Sequence, residues 1–159
     1  RSTRSCGSRC ARRLGEGRTV TGAAIFWPMG ALALLTFIVL GQIPLRRFAA
    51  VRKKEVTPDD FRFGESDRVG SRVAIPNRAM MNLLELPTLF YVLCLMAFVS
   101  AGVTPLLLWL AWTYVGLRYV HTLIHMTWNK VAHRLVPFAL SNVVLIAMWA
   151  VFFANLAIG

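Results

Sequence analysis

Three stretches of this chain carry no charged residue: Val20 to Leu45, Leu86 to Leu117 and Leu135 to Gly159. Their apolar residues do not alternate with polar ones at the helical period, as they would on a helix half exposed to water. A hydrocarbon core of about 30 Å needs about 20 mostly apolar residues per helical crossing. The first and last runs suit one crossing each. The middle run is too long for one, and Ser100-Ala101-Gly102-Val103-Thr104-Pro105 interrupts it with turn-forming residues. The pattern predicts an all-α integral membrane protein, a bundle of four transmembrane helices over residues 23–44, 78–100, 105–126 and 136–158.

Composition supports this reading. Hydrophobic residues make up 57% of the 159 positions, and the mean hydropathy is +0.57. The net charge of +11 does not point to nucleic acid, because the basic residues collect at the ends of the spans. The segment from Arg46 to Arg78 holds Arg46, Arg47, Arg52, Lys53, Lys54, Arg62, Arg68, Arg72 and Arg78, and the connection between the third and fourth spans adds Lys130 and Arg134 on the same side. Excess Lys and Arg mark the cytoplasmic side. The long first loop is therefore expected in the cytoplasm and both termini outside it. Its basic residues are expected near anionic lipid headgroups. Residues 1–22, rich in Arg, Ser and Gly, have the composition of a disordered or targeting-like arm. The three cysteines, Cys6, Cys10 and Cys94, form no disulfide framework.

Polar residues inside a span are costly and point to function or to structural pairing. The second span opens with Arg78, Asn82 and Glu85, at i, i+4, i+7, on one helical face. Glu85 lies roughly 10 Å deeper than Arg78 at 1.5 Å per residue. The third span, running the other way, carries Arg118, His121 and His125 at i, i+3, i+7. Counting from Pro105, Arg118 comes to a depth similar to that of Glu85. The two are expected to pair or to share a polar cluster. Such a pair has two readings: a buried salt bridge that fixes helix register, or part of a pocket for an anionic or zwitterionic ligand. The surplus of cations near the single acid (Arg78, Arg118 and Arg134, with Arg46 and Arg47 at the end of the first span) favours a ligand that brings carboxylates of its own. His121 and His125 have the spacing of metal ligands but lack a clear third ligand, so no metal is expected. Pro87 is expected inside its helix and Pro137 in the first turn of span four. Trp109, Trp112, Trp128 and Trp149 are expected to face lipid or to anchor at the interface.

At these residues the sequence resembles the MAPEG family, membrane-associated proteins in eicosanoid and glutathione metabolism. The match rests on Arg78-Ala79-x-x-Asn82-x-x-Glu85 followed by Pro87, and on Arg118-x-x-His121-Thr122 with Arg134 sixteen residues after Arg118. Arg52-Lys53, Pro58-Asp59-Asp60-Phe61 and Asp67-Arg68-Val69 add weaker similarity to the microsomal glutathione transferase branch, and Asn82 to Tyr91 looks most like bacterial members. The resemblance implies a homotrimer of four-helix subunits in a bacterial inner membrane, with a site for glutathione as co-substrate between adjacent subunits and an apolar small molecule as second substrate. It assigns Arg78, Asn82 and Glu85 to the peptide's charged and amide groups. It adds Arg47, Arg118 and His121 as binding residues and Arg134 as the arginine that stabilises the thiolate. Leu86 stands where some eicosanoid-synthesising members have Tyr, and His125 stands where the microsomal branch has a Tyr that helps to bind glutathione. A histidine there can donate the same hydrogen bond. The resulting expectation is a glutathione-dependent transferase or peroxidase acting on apolar electrophiles or lipid hydroperoxides. A non-catalytic membrane scaffold of the same fold and a small transporter using Glu85 are the alternatives.

Overall fold

The computed structural model describes residues 22–54, 57, 71–127 and 131–158. The basic arm, most of the first loop with its acids, and Trp128 to Lys130 lie outside the described residues. Four helices follow one another: α1 (Phe26–Arg52), α2 (Ser71–Val99), α3 (Pro105–Thr127) and α4 (Val131–Ile158). Among the described residues there is no strand.

α1, α2 and α4 are long and apolar enough to cross a membrane by length and composition. α3 has 23 residues, roughly 35 Å of helix, which is enough for a crossing. Its apolar character is diluted by Arg118, His121 and His125, all of which are buried inside the bundle. The polar content of α3 is therefore turned inward, which is how membrane helices tolerate it.

Three helices run past the expected spans. α1 continues to Arg52, α2 begins at Ser71, and α4 begins at Val131. Hydrophobic runs mark the membrane-embedded part of a helix, whereas backbone hydrogen bonding continues into the polar flanks. Pro137, expected in a first turn, consequently lies inside α4. There its missing N–H removes one hydrogen bond from the helix.

The turn between α2 and α3 is built from local signals. Ala101 takes the left-handed conformation at φ 52°. The Gly102 N–H donates to the Ala97 carbonyl at 2.9 Å and the Ala101 N–H to the Phe98 carbonyl at 3.1 Å, the two bonds of a Schellman cap. Thr104 Oγ1 then accepts from the Leu107 N–H at 3.2 Å, capping α3, with Pro105 as its first residue.

The most extensive packing is α3 on α4, followed by α1 on α2. Leu32, Leu35 and Val39 of α1 meet Ala79, Leu83 and Phe90 of α2 in a core that also takes in Leu107, Ala111 and Tyr114 of α3 and Leu145 and Met148 of α4. The Phe90 and Tyr114 rings stack at 4.8 Å, and the Tyr119 hydroxyl donates to the Ala31 carbonyl at 2.8 Å. The outer surface is apolar: Phe37 is 68% and Trp109 74% exposed. Trp112 is exposed as well, while Trp149 stacks on Phe153 at 5.6 Å. An outward-facing apolar surface of this extent suits a bilayer as solvent.

Candidate functional site

The buried seam of α3 runs Leu107, Ala111, Tyr114, Arg118, His121, His125. Steps of four and three residues keep it on one side of the helix. Its first half is apolar and its second half polar, so the residues that pack the bundle and those that could bind a ligand belong to one continuous stripe.

Arg118 is fully buried. Its Nε donates to the Tyr114 hydroxyl at 3.1 Å and its Nη2 to Asn142 Oδ1 on α4 at 3.3 Å. The guanidinium lies 5.2 Å from the centre of the Tyr114 ring and 5.4 Å from that of Phe138. Its Nη1 is buried without a hydrogen-bond partner. No carboxylate joins this group: Glu85 is the only acidic residue among the described residues.

His121 and His125 both reach Arg134, near the start of α4. His121 Nδ1 lies 2.9 Å from the Arg134 main-chain carbonyl. A carbonyl only accepts, so Nδ1 carries the proton and Nε2 the lone pair. Arg134 Nη1 lies 2.9 Å from His125 Nε2. A guanidinium only donates, so here Nε2 carries the lone pair and Nδ1 the proton. The remaining ring atoms, His121 Nε2 and His125 Nδ1, are buried without partners. Among the described residues no three His, Cys, Asp or Glu side chains come together as a metal cluster.

α2 behaves differently from expectation. Arg78 and Glu85 are exposed on the protomer surface and Asn82 is partly buried. Ala79, Leu83 and Phe90 form the core-facing side of the helix, and at 100° per residue Glu85 points roughly 160° away from Leu83. The three polar residues do share a face, with Arg78 and Glu85 looking outward and Asn82 at its inner edge. Glu85 and Arg118 therefore do not pair: Arg118 turns to Tyr114 and Asn142, and Glu85 makes no ion pair within the described protomer. Equal depth placed the two residues at one level of the membrane without placing them on facing surfaces.

A recess of about 190 Å³ joins the two sets of residues. Asn82, His121, Arg134, Leu135 and Phe138 line it. A larger recess of about 460 Å³ lies toward the basic end of α1, with Arg46, Ala49 and Lys53 in its wall. It contains none of the predicted site residues. Arg47, on α1, is partly buried and lines neither of these two recesses. Tyr114, Phe138 and Asn142 complete the site without having been singled out from sequence. Asn142 carried a readable signal, as a polar residue in the middle of a charge-free run.

Compared with known families, the chain matches the profile of the MAPEG family over residues 25–154. No curated protein matches it, and no solved structure does.

Proposed function

The chain belongs to the MAPEG family, and from that premise we propose that it is a membrane-bound glutathione-dependent transferase or peroxidase acting on apolar electrophiles or lipid hydroperoxides. The observation that carries this reading is the buried Arg118 guanidinium, with one nitrogen unpartnered and no acid beside it among the described residues. A buried charge without a counter-charge is expensive, and a ligand carboxylate would relieve it. Glutathione offers two carboxylates, two amide groups and a thiol. Arginines are suited to bidentate carboxylate recognition, and Asn82 and His121 offer hydrogen-bonding groups at the recess they share with Arg134.

The outward face of α2 supports a second copy as part of the site. A charged side chain at the centre of a membrane helix costs about 2.5–3.5 kcal/mol on insertion scales. Arg78 and Glu85 are exposed on the isolated protomer, and in a homotrimer a neighbouring subunit would cover them while completing the binding site.

The chemistry follows from charge. A free thiol with a pKa near 8.5 is a few per cent thiolate at neutral pH, and a neighbouring cation raises that fraction. The Arg134 guanidinium at the recess wall would stabilise the thiolate. Its sulfur then attacks an electrophilic carbon, displacing a leaving group or adding to a double bond that takes up a proton. Alternatively it attacks a hydroperoxide oxygen, breaking the O–O bond to release an alcohol and leave a glutathione sulfenic acid that a second glutathione converts to the disulfide and water. Conjugation assays in detergent or nanodiscs test the reading. Glutathione-dependent turnover of an apolar electrophile, abolished by Arg134→Ala, is the expected result. Absence of turnover with any electrophile, together with an intact assembly, would favour the scaffold.

A further inference from the structure

We propose that Asn142 is the positioning residue for Arg118: a neutral acceptor that fixes the guanidinium while leaving its charge uncompensated for a carboxylate in the recess. The inference rests on the glutathione reading for its ligand, but the hold itself is a property of the protein alone. Asn142 lies in the charge-free run from Leu135 to Gly159, where a side-chain amide is costly without a partner. Arg118 Nη2 donates to Asn142 Oδ1 at 3.3 Å, from α3 to α4. A guanidinium only donates, so it is the amide oxygen that faces it. Within α3, Arg118 Nε donates to the Tyr114 hydroxyl at 3.1 Å. Bonds at Nε and Nη2 fix the guanidinium plane, and the Tyr114 and Phe138 rings lie against it at 5.2 Å and 5.4 Å.

All of these partners are neutral. A carboxylate at position 142 would make the same hydrogen bond and cancel the charge, whereas the amide makes the bond and leaves the charge in place. Nη1 keeps both of its N–H groups, buried and without a partner. Phe138 belongs to two settings at once. Its ring lies against the guanidinium, and it lines the recess together with Asn82, His121 and Arg134. The charge of Arg118 therefore sits one side chain behind the recess wall. An aromatic ring, not water, lies between, so the field of the guanidinium reaches the recess with little screening. Arg134 supplies positive charge at the wall itself, and Arg118 supplies a second centre behind it. One favours the thiolate, and the other favours a carboxylate of the same ligand.

The test compares wild type, Asn142→Asp and Asn142→Leu as purified full chains. Asp keeps an acceptor at the same place and adds a negative charge, which the neighbouring guanidinium keeps ionised. Leu removes the acceptor. If Asn142 only tied two helices together, Asp would be harmless and Leu harmful. The proposal gives the other order. Calorimetric affinity for glutathione should fall about tenfold or more in Asn142→Asp and by a smaller factor in Asn142→Leu, with kcat at saturating glutathione little changed because Arg134 is intact. Glutathione with one carboxylate amidated locates the effect: for one of the two monoamides, wild type and Asn142→Asp should bind alike. Wild-type affinity in Asn142→Asp, or a penalty of the same size for glutathione and both monoamides, would overturn the proposal. Side-chain nitrogen NMR without any ligand separates the hold from the parent reading, and it decides with Asn142→Leu alone where Asn142→Asp does not assemble. Rotation of the Arg118 guanidinium should be slow in wild type and fast in Asn142→Leu. That pattern in a protein that binds no glutathione would sink the glutathione reading and leave the hold standing, and equal rotation in the two proteins would sink the hold itself.

Discussion

α2 and α3 each carry three polar residues at helical spacing, and the bundle turns the two sets in opposite directions. On α3, Arg118, His121 and His125 continue the line of Leu107, Ala111 and Tyr114 into the interior. On α2, Arg78 and Glu85 lie away from the line of Ala79, Leu83 and Phe90 and are exposed. The first set is organised within one protomer, with every member bonded to α4 or to its own helix. In the second set Asn82 lines the recess, whereas the exposure of Arg78 and Glu85 has no explanation within the protomer. A membrane helix that keeps a carboxylate on its outer face needs either a polar neighbour outside the protomer or a route to water. The difference separates what one chain builds alone from what it leaves for a partner and a ligand.

The largest effect should come from the inward set. Arg134→Ala removes the guanidinium at the recess and one of the two partners of the histidine pair. Glutathione affinity should fall about tenfold to a hundredfold, the scale of one charged hydrogen bond, and conjugation should be lost. Calorimetry and turnover assays read both.

Glu85→Leu probes the outward set, and its sign is informative. Against lipid, removing the charge would leave the protein more stable, by up to about 3 kcal/mol. Against a neighbouring subunit and a ligand, it should weaken assembly and glutathione binding together. Sedimentation in detergent distinguishes the two, and the expected outcome is a shift toward smaller species. An unchanged oligomer with raised thermal stability would place Glu85 against lipid.

A smaller effect is expected at the hydrogen bond that ties α1 to α3. Tyr119→Phe removes the donor to the Ala31 carbonyl while keeping the ring. The expected loss is about 0.6 kcal/mol, typical of hydrogen bonds between membrane helices, seen as a small drop in thermal midpoint with glutathione binding intact. A large loss of binding would tie α1 to the site more closely than the geometry does.

Much of this organisation was readable from the chain. Charge-free runs placed four helices, because a bilayer leaves no other use for runs of that length. The turn-forming run from Ser100 to Pro105 marked the break before α3, while the capping role of Thr104 came from the structure. The polar spacing on α3 put Arg118, His121 and His125 on one face, and all three are buried in the bundle. The orientation of α2 was not legible in the same way. Spacing tells which residues share a face, whereas the direction of that face is set by which residues pack, here Ala79, Leu83 and Phe90. In a membrane helix the core side is no more apolar than the lipid side, so the usual signal for facing is missing. The same loss of contrast hid the Pro137 position, since the helix continues beyond its hydrophobic run. Tyr114 and Phe138 passed as ordinary core aromatics, because stacking against a guanidinium needs the third dimension to be seen.

Glutathione titrated calorimetrically into the purified assembly, comparing wild type with Arg78→Ala, tests the central claim most directly. Arg78 is exposed on the isolated protomer, so its contribution to binding reports on whether this face of α2 belongs to the site. Saturable binding at or below millimolar glutathione, weakened about tenfold or more by Arg78→Ala, is the predicted result. Absence of wild-type binding at millimolar glutathione, or equal affinity in the two proteins, would contradict it.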